Sequence, residues 1–411
     1  MTYTNISNKT FNYNYTIILV CIGYFIDFYD LSIFGSGYVE LIKQQFGVID
    51  PTQIQQLYLY ITNWYTVGIF LGSIIFGILG DKFGRVYVIR YSILLYSFSI
   101  LASLFIKSIP LFCFIRFLTG AGLACEFATS SVLISEIVKD SYRSHKISIL
   151  LYGCGILGGL TSLIFSFISW QIMFLFGGIS GILLYLGRKK VYESILFENI
   201  YRQNNIDKGN ISIIISNSKT FLKTLKLFLL ITPFNLIISI IFIFPSLMNL
   251  NQDLSSAIKT ILLGFFLGGV IGLLISSPIM NAIKSYTKYL TISFILILFI
   301  LLFPLKYIND QNLFIYCIII GVIGGSYPPI WIQLVSRSYG TNLRNTASNS
   351  LFALGRLSGI FFNIIISYSL ANMHLGVYYL KYLIILVLTF AILSLFTIKD
   401  NYNSKLDYLE R

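Results

Sequence analysis

The stretch Ile17-Ile18-Leu19-Val20-Cys21-Ile22-Gly23-Tyr24-Phe25-Ile26-Asp27-Phe28-Tyr29-Asp30-Leu31-Ser32-Ile33-Phe34 sets two carboxylates inside an otherwise apolar run. A hydrocarbon layer of ~30 Å needs about 20 residues of helix to cross it, and this run with its flanks is long enough. An ionised carboxylate near the bilayer centre costs at least ~2.5–3.5 kcal/mol even on lenient insertion scales. Asp27 and Asp30 must therefore face protein or a wet cavity, where they can exchange protons or meet a cation. At i and i+3 they share one helix face.

The rest of the chain has the same character. Its 411 residues are 56% hydrophobic and 11% charged, with a mean hydropathy of +0.80. Soluble domains hold about 25% charged residues, so the composition excludes a soluble globule and predicts a polytopic helical membrane protein in the lipid bilayer. A net charge of +13 would suit nucleic acid in a soluble protein. Here the basic residues collect in loops, where they set topology, and no nucleic-acid partner is expected. Cys21, Cys113, Cys125, Cys154 and Cys317 fall in apolar stretches without C-x-x-C or metal spacing and read as small core residues. The first fifteen residues are polar and Asn-rich, so no cleaved signal peptide is expected. No G-x-x-x-x-G-K-[ST] occurs, so ATP drive from this chain is not expected.

Apolar runs between polar breaks predict twelve spans, at about 16–38, 57–80, 86–106, 110–136, 147–169, 171–187, 222–248, 258–282, 288–308, 312–335, 346–372 and 377–398. The longest polar gap follows the sixth. The expected organisation is a cytoplasmic N-terminal segment (1–15), an N-terminal six-helix bundle (16–187), a cytoplasmic linker (188–221), a C-terminal six-helix bundle (222–398) and a cytoplasmic tail (399–411). With the N-terminus inside, only Lys43, Lys107, Lys259, Lys306 and Lys381 fall outside, and Arg116 and Arg356 lie within spans. All other Lys and Arg are then cytoplasmic, which places both termini inside the plasma membrane. Arg143 after the fourth span and Arg344 after the tenth hint at a duplication, and two six-helix halves in parallel orientation are one repeat plan of carriers.

The loop after the second span reads Gly77-Ile78-Leu79-Gly80-Asp81-Lys82-Phe83-Gly84-Arg85. Glycines permit close helix approach and a sharp turn. Asp81 suits the positive end of a neighbouring helix, the eleventh span near Asn345–Ser348, and Arg85 suits Glu136. This loop resembles the G-x-x-x-D-[RK]-x-G-R signature of the major facilitator superfamily. Arg116-Phe117-Leu118-Thr119-Gly120-Ala121-Gly122 … Glu126 … Glu136 … Arg143 is similar to the R-x-x-x-G-x-G-x-x-x-[ED] … E-x6-R of its acid and sugar symporters. Arg188 … Glu193-Ser194 resembles their R-x4-E-S. Arg344-Asn345-Thr346-Ala347 … Gly355-Arg356-Leu357-Ser358-Gly359 resembles the R-x-T-A … G-R-x-x-G of aromatic-acid and nicotinate carriers, and D-x-x-D also occurs in phosphate–proton symporters.

Two departures stand out. Arg337 and Gly340 occupy positions where relatives carry Glu and Pro, and the second-half loop is degraded to Asn281-Ala282-Ile283-Lys284-Ser285-Tyr286-Thr287-Lys288. The resemblance implies an all-α membrane protein of twelve transmembrane helices in two six-helix bundles with pseudo-two-fold symmetry. It implies proton-coupled symport of a small organic anion by alternating access. Phosphate–proton symport is the alternative, followed by sugar–proton symport or drug–proton antiport. The chain is not expected to be an enzyme, needs no cofactor or metal beyond protons as coupling ion, and is expected to be a monomer.

At 1.5 Å per residue, Asp27, Asp30, Glu126 and Arg356 all fall near the membrane midplane, where carrier sites form. The three acids are the expected proton-coupling groups. Arg356 cannot lose its charge and needs an anion, from a protein carboxylate or from substrate. Tyr327, Trp331 and Gln333 around Pro328-Pro329, with Asn349 and Tyr152, are candidate cavity residues. Arg116 is expected to pair helices. Gly77, Asp81, Gly84, Arg85, Glu136 and Arg143 form the expected conformational latch.

Overall fold

Apolar runs of this length hydrogen-bond their own backbone as helix, because hydrocarbon offers no other partner. The computed structural model describes residues 13–124, 126–137, 141–189, 191, 193–194, 197–198, 208–247, 254–302, 312–371, 373–402 and 408–410, and among them forms helices and no strand. The first half contains α1 (Tyr13–Phe46), α2 (Pro51–Phe83), α3 (Arg85–Ser103), α4 (Ile109–Leu123), α5 (Glu126–Ile137), α6 (Ser141–Ser166) and α7 (Trp170–Arg188). A short α8 (Ile211–Ser216) precedes the second half: α9 (Ser218–Leu247), α10 (Leu254–Ile283), α11 (Tyr286–Leu302), α12 (Leu313–Ser326), α13 (Pro328–Ser338), α14 (Arg344–Ala371) and α15 (Met373–Thr397).

The twelve expected spans each coincide with one of these segments, α4 with α5 making the fourth and α12 with α13 the tenth. Among the described residues ten segments are long and apolar enough to cross a bilayer, and α11 is a shorter apolar helix. The remaining span, α14, has 28 residues and opens on the polar run Arg344-Asn345-Thr346. Pro328 and Pro329 lack N–H donors and sit in the first turn of α13, where none is needed. Ile75, Phe98, Leu183, Leu274, Phe299 and Phe390 are exposed, and this outward apolar surface is what lipid covers.

Close backbone approach fixes the geometry inside each half. A Cβ on Gly72 of α2 would lie 2.4 Å from the Ala121 carbonyl oxygen of α4. One on Gly272 of α10 would lie 1.9 Å from that of Val322 in α12. The same pair of crossings, second on fourth and eighth on tenth, is thus built the same way in both halves. Across the halves, α2 packs on α14 and α6 on α10.

The tail braces one end of the second half. Asp400 accepts from Ser285 Oγ (2.6 Å), Thr287 N (3.0 Å) and Thr287 Oγ1 (2.9 Å) at the start of α11. Farther on, Thr341 N donates to the Tyr408 carbonyl (2.9 Å), and Asn342 exchanges two 3.0 Å hydrogen bonds with the Glu410 main chain. Lys223 Nζ reaches the Glu410 carboxylate at 2.7 Å. A Cβ at position 340 would lie 2.5 Å from Glu410 N, so Gly340, in place of the expected Pro, is what admits the tail.

Gly272→Leu is expected to destabilise the second half by at least about 1–3 kcal/mol, because the α10–α12 crossing cannot widen without losing its packing. Gly153→Ala, whose Cβ would meet only Leu273 Cδ1 at 3.7 Å, should be tolerated. Melting midpoints of the two variants in detergent check this, and equal midpoints would contradict it.

Candidate functional site

At the end of the molecule where α2 stops, Gly84 turns the chain with φ of +117° and starts α3. Just before it, Asp81 accepts from Thr346 N (2.7 Å), Thr346 Oγ1 (2.7 Å) and Asn345 N (3.3 Å) at the first turn of α14. A carboxylate there meets unpaired N–H groups and the positive end of the helix dipole. Gly77 lets α2 come close enough, its Cβ position lying 3.2 Å from Thr346 Cα. Arg85 bridges onward: Nη2 lies 3.1 Å from Asp81 and 3.0 Å from Glu136, and donates to the Thr341 carbonyl at 2.9 Å. Arg344 Nη1 reaches Glu136 at 3.2 Å, and Ser194 Oγ donates to its other oxygen at 2.6 Å. Asp81, Arg85, Glu136 and Arg344 are all buried. The side chain of Arg143 lies outside the described residues, and Arg85 and Arg344 are the basic partners described at Glu136.

Glu193 caps α3, accepting from Val86 N at 2.9 Å. Burial pushes its carboxyl up to about 7 against the pull of Arg85.

Deeper in the first half, Glu126 is taken up by Arg188. Arg188 Nη1 donates to Oε2 at 2.8 Å and Nη2 to Oε1. This places Glu126, expected among the proton carriers, in a buried ion pair with a residue assigned to the linker. Gly23 makes room: a Cβ there would collide with the Arg188 guanidinium. Asp30 is fully buried against Gly177 of α7, and neither of its oxygens has a hydrogen-bond partner among the described residues. Asp27 is also buried, with Oδ1 unpartnered.

Between the halves lies a cavity of about 260 Å3 whose lining extends to Tyr38 and Gln55. Helices α1, α2, α6, α9, α10 and α14 supply most of its wall, which is largely apolar and aromatic. Arg356, Tyr152, Arg116, Asn235 and Asn363 are among the polar residues lining it, and no Asp or Glu among the described residues is. Arg356 lies over the Phe352 ring at 4.9 Å. Arg116 lies between the rings of Phe34 on α1 and Tyr65 on α2, 4.8 Å from each. It thus contacts both helices and also reaches the cavity.

Four expected cavity residues lie elsewhere in this state. Trp331 Nε1 donates to the Leu227 carbonyl at 2.9 Å. Gln333 donates to Ser148 Oγ across the halves. Asn349 donates to Thr129 Oγ1 (3.0 Å) and to the Asn345 carbonyl (2.9 Å), and Tyr327 packs edge-on against Phe234 and Phe294. All four are buried outside the cavity wall. Asp27, Asp30 and Glu126 likewise do not line it. Sequence reasoning passed over Tyr24 and Tyr65, whose hydroxyls are buried without partners although both residues line the cavity. The unusual density of Tyr in the first two spans was the available signal.

Two helical bundles joined at one end by buried charge, with a polar-tipped cavity between them, define a multi-pass membrane protein of the carrier type. Residues 20–363 match the Major Facilitator Superfamily, and the chain belongs to that family. It is 28% identical over 204 residues to the "Niacin transporter NiaP" of Acinetobacter baylyi, covering 48% of this chain and 44% of the relative. It is 30% identical over 203 residues to the "Benzoate transport protein" of the same organism, covering 44% and 42%. The matched stretches thus span under half the length of these relatives. The fold is also that of a proton:xylose symporter, XylE, solved with 6-bromo-6-deoxy-D-glucose, with a TM-score of 0.74 at 14% identity over 96% of this chain and 97% of that one.

Two predictions concern the latch. In Asp81→Asn the α14 terminus and Arg85 each lose a charged partner, so the latched end should open more often. A cysteine at the buried position Ser348, with native cysteines replaced, should then react with a maleimide at least about tenfold faster, equivalent to ~1.4 kcal/mol. An unchanged rate would remove Asp81 from the latch. For Glu193, a raised pKa means that the folded protein holds the proton more tightly than the unfolded chain. The stabilisation is therefore full below about pH 4.5 and is lost as pH climbs through about 7. Glu193→Gln should flatten the melting midpoint against pH over that window; an unaltered slope would assign it to other groups.

Proposed function

We propose that the protein is a proton-coupled symporter that takes up a small organic anion by alternating access. One observation carries this reading: Arg356, always charged, lines the cavity between the halves with no ion pair to any described residue. The largely apolar wall favours a carboxylate on a small carbon skeleton over phosphate, which would want donors on every side. The cavity volume of about 260 Å3 sits just below the ~300–1,000 Å3 of typical small-molecule sites, which suits one small ring. Niacin and benzoate, named for two relatives, are both such acids.

The buried carboxyls of Asp27 and Asp30 are assigned proton carriage, since each has an oxygen unsatisfied by protein. Glu126 is left out of that role because Arg188 occupies both its oxygens. The latched end, which holds the tail and most Lys and Arg, is read as cytoplasmic in the plasma membrane. The shape is then the outward-facing one: protons and anion enter from outside, the halves rock, and the latch yields. Inward proton movement gains about 2.3 kcal/mol per 100 mV.

Uptake into proteoliposomes with an imposed inward proton gradient tests the reading. The wild type should accumulate a small carboxylic acid such as nicotinate or benzoate. Asp27→Asn and Asp30→Asn should lose accumulation while keeping exchange down the substrate gradient. Arg356→Lys, which keeps charge but loses the planar fork, should weaken apparent affinity by about tenfold or more. Full accumulation in both aspartate variants would place proton carriage elsewhere, and indifference to carboxylates in the wild type would overturn the assignment of substrate.

A further inference from the structure

Arg116 presents an unused charge to the same cavity. Its side chain is about 1% exposed, yet Nε and Nη1 have no hydrogen-bond partner among the described residues. The two ring faces at 4.8 Å satisfy its π surface and leave its N–H edge, which lies in the plane between them, without an acceptor. Five in-plane donors in a fixed fork are built for a carboxylate. Asp30 is the carboxylate whose charge reaches Arg116, but no ion pair within 4.0 Å joins them, and both Asp30 oxygens are unpartnered as well. Two groups meant to neutralise each other would have closed that gap, because each unmet buried charge costs several kcal/mol. Arg356 lines the same space. Tyr65 lies in the field of both guanidiniums and holds an unpartnered hydroxyl.

We infer that Arg116 is a second anion-binding residue and that the cavity takes a small organic acid bearing two acidic groups, one at each guanidinium, with the Tyr65 hydroxyl between them. This rests on reading the cavity as an organic-anion site, and it adds the number of acidic groups. Among the described residues no Asp or Glu lines the wall, and neither arginine has a carboxylate within ion-pair distance, so a monoanion leaves one guanidinium without a direct partner on closure. A dianion answers both. Two anionic groups against the two carboxyls Asp27 and Asp30 would also allow one proton to travel with each negative charge.

The test is a binding series on the purified full-length protein in detergent, by isothermal titration at pH 7.5, with benzoate, phthalate, isophthalate and terephthalate. At least one dicarboxylate should bind about tenfold or more tighter than benzoate, as one added charge-assisted contact implies. In Arg116→Gln the ratio of the two affinities should fall toward one, and Arg116→Lys should restore part of it. In Arg356→Gln both affinities should fall. Benzoate binding as tightly as every dicarboxylate would overturn the second subsite while leaving the organic-anion reading standing. A ratio unchanged in Arg116→Gln would do the same. Absence of binding by all four acids would overturn both. The comparison of ligands on the wild type needs no variant to fold.

Discussion

A charge removed from water must be answered by protein, and nearly every distinctive feature of this structure follows from where that answer is given or withheld. At the latched end it is given. Asp81, Arg85, Glu136 and Arg344 leave water together and are met by one another, by the α14 terminus and by Ser194. The desolvation cost of such a cluster is several kcal/mol per ion and offsets most of its Coulombic gain. A seal of this kind is specific in geometry yet modest in net strength. An apolar interface of equal area would hold more firmly and open less readily. On the alternating-access reading, charge is therefore the material from which a reversible closure is best made.

The two halves share a scaffold and divide the work. Gly72 of α2 against α4 and Gly272 of α10 against α12 give both bundles the same tight crossing, so the repeat survives where backbones touch. It does not survive in the loops. The first half retains the acid and arginine that grip α14. In the second half, Asp400 from beyond α15 caps α11 where the loop after α10 has no acid of its own. Tyr408 and Glu410 then fasten the tail to the turn carrying Thr341 and Asn342. Arg85 donates to that same Thr341 carbonyl, so the tail steadies the surface on which the first half closes.

How much was legible in the sequence depended on whether a residue's partner is dictated locally. The spans were legible because hydrocarbon permits only self-satisfied backbone. So were the positions of Asp81 and Arg85, since a glycine-flanked acid next to a helix start has few other places to go. Glu126 was not, because its partner Arg188 comes 62 positions later in the chain and reaches it only through a gap left by Gly23 on a third helix. Trp331, Gln333, Asn349 and Tyr327 were placed by helical face, which says what side of a helix a residue takes. It does not say whether that side faces the cavity or a closed part of the interface between the halves, and theirs is closed. Arg116 looked structural from sequence, and its aromatic sandwich does join α1 to α2. Its unpartnered edge emerges only in the folded chain.

On the proposed reading, the withheld answers drive the cycle. An empty cavity closes unfavourably around Arg356, because closure would take its charge out of water with nothing to meet it, at a cost of several kcal/mol, while the already buried Arg116 stays unmet. An anion removes that barrier and so licenses closure. The latch completes the logic. Its net stabilisation is small, so the interactions gained at the far end need only exceed a few kcal/mol to release it. A stronger seal would trap the molecule, and a neutral cavity would let it close unloaded and leak the proton gradient.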